Sequence, residues 1–181
     1  MTTPSPQSPH ALVPEDPRDP LAFRRCLGQF ATGITVVTTQ LADGTLVGMT
    51  INSFNSVSLS PPLVVWSLSL HLAQRPLLEA CEYYAINVLA ADQEPVSRRF
   101  ASKQPDRFAG VEWTPGLGGA PLLPGCAASF EVRNTIRHAG GDHLVFIGEV
   151  ERCSRSDREP LLYFGGRYRQ LAPVVIADAQ N

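Results

Sequence analysis

Apolar positions in this chain fall into short runs separated by polar or turn-forming clusters, and few of them follow a helical period. Residues 34–39 (Ile-Thr-Val-Val-Thr-Thr) are β-branched throughout and predict a strand. Ala42-Asp43-Gly44 supplies hairpin turn chemistry, and residues 46–51 predict the returning strand. Residues 63–68 and 84–89 predict a third and a fourth strand. Two longer strands, 127–137 and 143–153, are joined by the turn Ala139-Gly-Gly-Asp142, and a short one follows at 161–163.

Helical signals are few. Asp19-Pro20 reads as an N-cap followed by proline at the first helical position. Phe23, Leu27 and Phe30 then fall on one face, and Gly33 is the expected end of that helix. Pro76 opens a short helical stretch over 77–81, and Asp92 is the expected cap of a helix running to Phe100. Residues 52–58 read as a polar connection, and residues 105–125, with four prolines and five glycines, as a long irregular loop within one domain. About seven strands with short helices between them and no βαβ rhythm predict a mainly β fold. Antiparallel hairpins closing into a complete or nearly complete barrel would remove the exposed edges.

Composition narrows the function classes. The chain has 181 residues, 44% hydrophobic and 18% charged, with a net charge of −2. That balance argues against nucleic acid or an anionic membrane as a main partner. No apolar run approaches the length of a membrane span. Lys103 is the single lysine and no glycine-rich phosphate loop surrounds it; the GxGxxG fingerprint of dinucleotide-binding folds is also missing. Cys26, Cys81, Cys126 and Cys153 are far apart, show no metal-ligand spacing and read as reduced thiols, so no metal and a cytoplasmic setting are expected. The first 20 residues hold six of the 16 prolines and no signal-peptide pattern. Residues 1–19 are therefore expected to be a flexible tail, 20–173 the domain, and 174–181 a second tail.

Three groups of residues can carry chemistry. Thr50, Asn52, Ser53, Asn55 and Ser56 form a dense neutral set at a strand end, suited to a phosphate or the polar edge of a ring and equally to an ordinary turn. His143 opens a strand behind Gly141-Asp142, where it can donate to a carbonyl or titrate near neutrality, although turn chemistry alone accounts for its neighbours. Arg98, Arg99, Lys103 and Arg107 cluster around Phe100 and Phe108, either as a phosphate site or as a solvated helix face. No nucleophile–base–acid triad can be read.

In order along the chain, seven blocks resemble the short flavin reductase family, the FMN-binding split-barrel proteins that act as reductase components of two-component flavin-dependent monooxygenases. The blocks are residues 30–39, 47–68, 84–93, 98–113, 119–132, 141–150 and 160–171; VGMTINSFNSVSLSPPLVVWSL and GDHLVFIGEV are the most specific. The resemblance runs from about Phe23 to Leu171. It implies an antiparallel, Greek-key-like split barrel and NAD(P)H-dependent reduction of free FMN or FAD by hydride transfer to flavin N5. It further implies a homodimer with the flavin in a groove at the interface, and a monooxygenase as recipient of reduced flavin.

By the same resemblance, Thr50, Asn52, Ser53, Ser56, Val57 and Ser58 would hold the flavin, with Asn87, Val88, Leu89 and Gln93 lining the groove and Phe100 nearby. His143 is the expected catalytic residue on the nicotinamide side, with Tyr168, Thr32 and Gly33. One departure stands out. Where the family often has Ser or Thr after the third strand, this chain reads Leu-His-Leu-Ala-Gln-Arg over 70–75, which leaves Arg75 as the substitute for binding phosphate. A non-catalytic flavin-binding or electron-carrying protein on the same fold is the alternative reading.

Overall fold

The computed structural model describes residues 11–172. Helix α1 spans Pro20–Leu27, with Asp19 capping Leu21 N–H at 2.9 Å and Pro20 in the first turn. It ends at Gly28, earlier than Gly33, because the chain must turn there into the two-residue strand β1, Thr32–Gly33. Only Ala22 of the helix is buried; Phe23, Leu27 and Phe30 are exposed, so their spacing marks a face that the described residues do not cover. Of the expected N-terminal tail, residues 1–10 lie outside the described residues, as does the expected tail 174–181; residues 11–18 carry no helix or strand.

Strands β2 (Thr35–Gln40) and β3 (Leu46–Ile51) form the expected hairpin, with Asp43 accepting from Thr45 N–H at 2.9 Å in the turn. The connection expected over 52–58 is not all loop. Asn55–Leu59 is a strand, β4, pairing with β5 (Pro62–Ser69). Helix α2 (Arg75–Ala80), strand β6 (Tyr83–Val88) and helix α3 (Glu94–Ala101) follow. The cap of α3 is Gln93 and not Asp92, which instead pairs with Arg158.

The long loop contains one small hairpin, β7 (Thr114–Pro115) with β8 (Pro121–Leu122). The longest strands, β9 (Ala128–Gly140) and β10 (His143–Arg155), form a ribbon bent by bulges after Ile147 and Val150. Strands β11 (Leu162–Phe164) and β12 (Arg167–Arg169) join β1 in a separate three-stranded sheet.

The main sheet is antiparallel, with strand order β3-β2-β6-β9-β10-β5-β4. Strands β5 and β6 follow each other in the chain, yet the β9–β10 ribbon lies between them. At the other join, β3 and β4 share no ladder, so the barrel is split along that seam. Ser53 bridges the seam, its hydroxyl donating to Ser67 O at 3.0 Å and accepting from Ser67 N–H at 3.1 Å. Inside, Trp66 stacks on Phe146 at 4.3 Å with Tyr84 edge-on, all three fully buried. Phe100 of α3 seals a second cluster with Ile34, Val36, Leu89, Phe108, Leu123 and Leu161. Among the described residues no helix is long and apolar enough to cross a membrane.

Candidate functional site

The pleat sets up the site. Alternation along β5 turns Val64, Trp66 and Leu68 into the core and leaves Ser67 and Ser69 half-buried on the opposite face. Strand β10 runs beside β5 with His143 paired to Ser69, so the first residue after the Gly141-Asp142 turn lands at the end of β5. The end of β3 and the C-terminal turn of α3 approach from the other side.

Between them lies a cavity of about 310 Å³. Met49, Ile51, Leu68, Leu72 and Phe100 provide its apolar lining, and Thr50, Asn52, Ser53, Ser67, Ser69, Arg107 and His143 its polar lining. It opens to solvent beside Asn52 and Ala101, both exposed.

Helix α3 reaches this close to β3 because residue 48 is glycine. A Cβ there would stand 2.6 Å from Phe100 Cε1 and 3.1 Å from Phe108 Cε2. Thr50 Oγ1 donates to Ser97 O at 2.7 Å, and Ser97 Oγ meets the Tyr168 hydroxyl at 2.9 Å. A hydrogen-bonded path therefore joins the cavity wall to the small sheet. The hydroxyl protons of Thr50 and Ser53 are thus committed within the chain, which leaves the Asn52 amide, the Ser67 and Ser69 hydroxyls, Arg107, His143 and backbone groups to meet a ligand.

His143 is held by its neighbour, with Nδ1 2.7 Å from Asp142 Oδ1, so Nε2 is the nitrogen left for a ligand. That hydrogen bond, followed by the imidazole's charge, keeps the Asp142 carboxyl below its usual range. Arg107 donates from Nη1 to Gly48 O at 2.8 Å, and burial draws its guanidinium down from the usual arginine range.

Five of the sixteen residues expected at the site line this cavity: Thr50, Asn52, Ser53, Phe100 and His143. Ser56, Val57 and Ser58 lie on the edge strand β4, outside the lining. Asn87 is fully buried and faces inward. Its amide donates to Val36 O, Thr38 Oγ1 and Pro121 O, and its oxygen accepts from Leu123 N–H at 2.8 Å, pinning the long loop to the barrel. Val88 ends β6, and Leu89 is core. Gln93 accepts from Ala90 N–H and donates to Pro124 O.

Thr32 and Gly33 belong to the small sheet with Tyr168, whose ring lies beneath Arg98 at 5.0 Å. Arg75 forms an ion pair with Glu79 at 2.8 Å and lies outside the cavity. Ser67 and Ser69 were not among the expected residues, and Arg107 was a candidate only as part of a basic cluster. The alternation Trp66-Ser67-Leu68-Ser69 carried a signal for the two serines, whereas Arg107 sat within a basic cluster that reads equally as a solvated face.

Comparison with known proteins identifies the family. The profile described as a flavin reductase like domain matches residues 27–172. FMN reductase (NADH) SmoA of Agrobacterium fabrum is 42% identical over 161 residues, covering 88% of this chain and 90% of that protein. HsaB of Mycobacterium tuberculosis, the reductase subunit of a flavin-dependent monooxygenase, is 41% identical over 158 residues, covering 86% of this chain and 84% of that one. Among solved structures, Streptomyces globisporus C-1027 NADH:FAD oxidoreductase SgcE6, in complex with NAD and FAD fragments, has a TM-score of 0.86 at 42% identity, covering 91% of this chain and 99% of that one. Profile, relatives and fold coincide over the same segment: this chain belongs to the flavin reductase-like family.

Proposed function

We propose that the chain catalyses hydride transfer from NADH to N5 of free FMN or FAD and supplies the reduced flavin to a partner monooxygenase. The observation that carries this reading is the lining of the cavity, which among the described residues consists of neutral donors, one guanidinium and one imidazole over an apolar floor, with no carboxylate, thiol or amine. Hydride transfer needs two rings held at close range and donors where negative charge develops; no side chain has to accept the hydride. At about 310 Å³ the cavity is near the lower end of small-molecule sites, roomy enough for a ring system but not for a whole dinucleotide.

The flavin, when bound, supplies the hydride acceptor. Asn52, Ser67 and nearby backbone groups orient its polar edge, Phe100 and Met49 support the ring, and His143 stands on the nicotinamide side, its ring fixed by Asp142. NADH as donor is supported by SmoA and SgcE6, both named for it. A partner monooxygenase is supported by HsaB.

The working unit is a homodimer. Leu21, Phe23, Leu27 and Phe30 expose 47–71% of their surface on one short segment, an apolar cluster that a second copy would cover. Cytoplasmic location fits the supply of NADH and four unpaired cysteines.

The test is NADH oxidation followed spectrally with and without FMN or FAD. Turnover well above the uncatalysed background is expected with at least one flavin. Tight flavin binding with no NADH oxidation would instead establish a non-catalytic carrier.

A further inference from the structure

Arg107 is the only cationic side chain lining the cavity apart from the titratable His143. It is half-buried, and among the described residues no carboxylate forms an ion pair with it. The nearest acidic neighbour in sequence, Asp106, turns its carboxylate to Phe108 N–H and Ala109 N–H, both at 3.0 Å. Burial lowers the guanidinium's pKa and no acidic group offsets it. A partly desolvated cation with no carboxylate beside it is a favourable place for an anionic group that reaches it.

The side chain is also held in place. Nη1 is anchored on Gly48 O at 2.8 Å, and the Arg107 carbonyl accepts from Arg99 Nε at 2.7 Å, with Arg99 reaching on to Ala109 O. Arg99 thereby latches the loop that carries Arg107. On the far side of Arg107 lies a second cavity of about 210 Å³, lined by Thr45, Gly48, Gln74, Gln104 and Asp106 among others. The guanidinium stands in the wall between the two. A ligand whose ring fills the first cavity and whose chain runs along this wall meets Arg107 before any other cation. Arg75, the arginine expected for this task, is already neutralised by Glu79.

Building on the flavin reductase reading, we infer that Arg107 is a specificity-determining residue that receives a phosphate of a nucleotide substrate, so that phosphorylated substrates are selected over their unphosphorylated counterparts. The phosphate comes from the flavin or from the nicotinamide nucleotide, and kinetics separates the two.

Arg107→Gln and Arg107→Lys are compared with the unaltered protein, using FMN, FAD and riboflavin against NADH, and NADH against a phosphate-free N-benzyl dihydronicotinamide. Loss of one charge-assisted contact is expected to raise KM about 10- to 100-fold for the phosphorylated substrate. If the flavin supplies the phosphate, KM for FMN and FAD rises while that for riboflavin stays; if the nicotinamide does, KM for NADH rises while that for the phosphate-free donor stays. Lysine, which keeps the charge, should recover part of the loss.

Equal effects on phosphorylated and unphosphorylated substrates would make Arg107 a loop latch and overturn the inference, as would no effect. Should the Gln variant fail to fold, the unaltered protein decides: KM for FMN equal to that for riboflavin, with no competition by inorganic phosphate, also overturns it. Thermal stabilisation by inorganic phosphate, present in the unaltered protein and lost in Arg107→Gln, reads the site without turnover. A failed reductase assay and a failed phosphate site are thus told apart.

Discussion

At the scale of single residues, the cavity divides polar groups into those free to meet a ligand and those spent on the fold. His143 belongs to the first kind. Its ring is oriented by Asp142, and because that carboxyl is held below its usual range, the carboxylate side of the pairing is lost only as pH falls through the lowered value. Replacing His143 with Ala should raise KM for NADH or slow hydride transfer by about tenfold or more while leaving the flavin Kd nearly unchanged. Stopped-flow reduction alongside a flavin titration checks both, and a large loss of flavin affinity would place His143 on the flavin instead. Asn87 belongs to the second kind. With four hydrogen bonds to β2 and the long loop, Asn87→Ala should cost about 1–3 kcal/mol in urea melts, because buried carbonyl and amide partners lose their mates.

At the scale of elements, the position of α3 depends on a missing methyl group. Gly48→Ala would force Phe100 and Phe108 off β3, and overpacking of this kind costs about 1–3 kcal/mol. Because Phe100 is also the cavity floor, the variant should lose flavin affinity together with thermal stability, a coupling that a melt and a flavin titration read side by side. Elements also differ in how far local pattern reveals them. Residues 34–39 are β-branched at each position and admit little but a strand, and β3, β5, β6, β9 and β10 were legible for similar reasons. Strand β4, reading Asn-Ser-Val-Ser-Leu, was not, because an edge strand in solvent needs no apolar face. Strand β12 is three residues long with arginine at both ends, too short to show a period. The site was legible in part. Thr50, Asn52 and Ser53 are contiguous enough to stand out, whereas Ser67, Ser69 and Arg107 reach them only through the β5 ladder and the loop behind α3.

At the scale of the whole molecule, the misjudged end of α1 has a physical reason. Phe23, Leu27 and Phe30 have the spacing of a buried face and are nevertheless exposed at 47%, 57% and 71% among the described residues; the proposed homodimer would cover them. The double variant Phe23→Asp/Phe30→Asp should sediment as a monomer where the unaltered protein sediments as a dimer. Like charges on a shared two-fold interface repel in addition to losing apolar contact. A monomeric unaltered protein would remove the homodimer from the proposed function while leaving the family and the fold untouched.

The mouth of the cavity beside Asn52 and Ala101 bears on the cell's economy of oxygen. If the proposed reductase reading holds, a site open to solvent at this point would release a strong reductant into water that carries dioxygen. Reduced flavin that does not reach its recipient reacts with dioxygen and yields hydrogen peroxide. The peroxide yield per NADH should therefore fall as the recipient's concentration rises, and coupling would be set by the stoichiometry of the two components as much as by either active site.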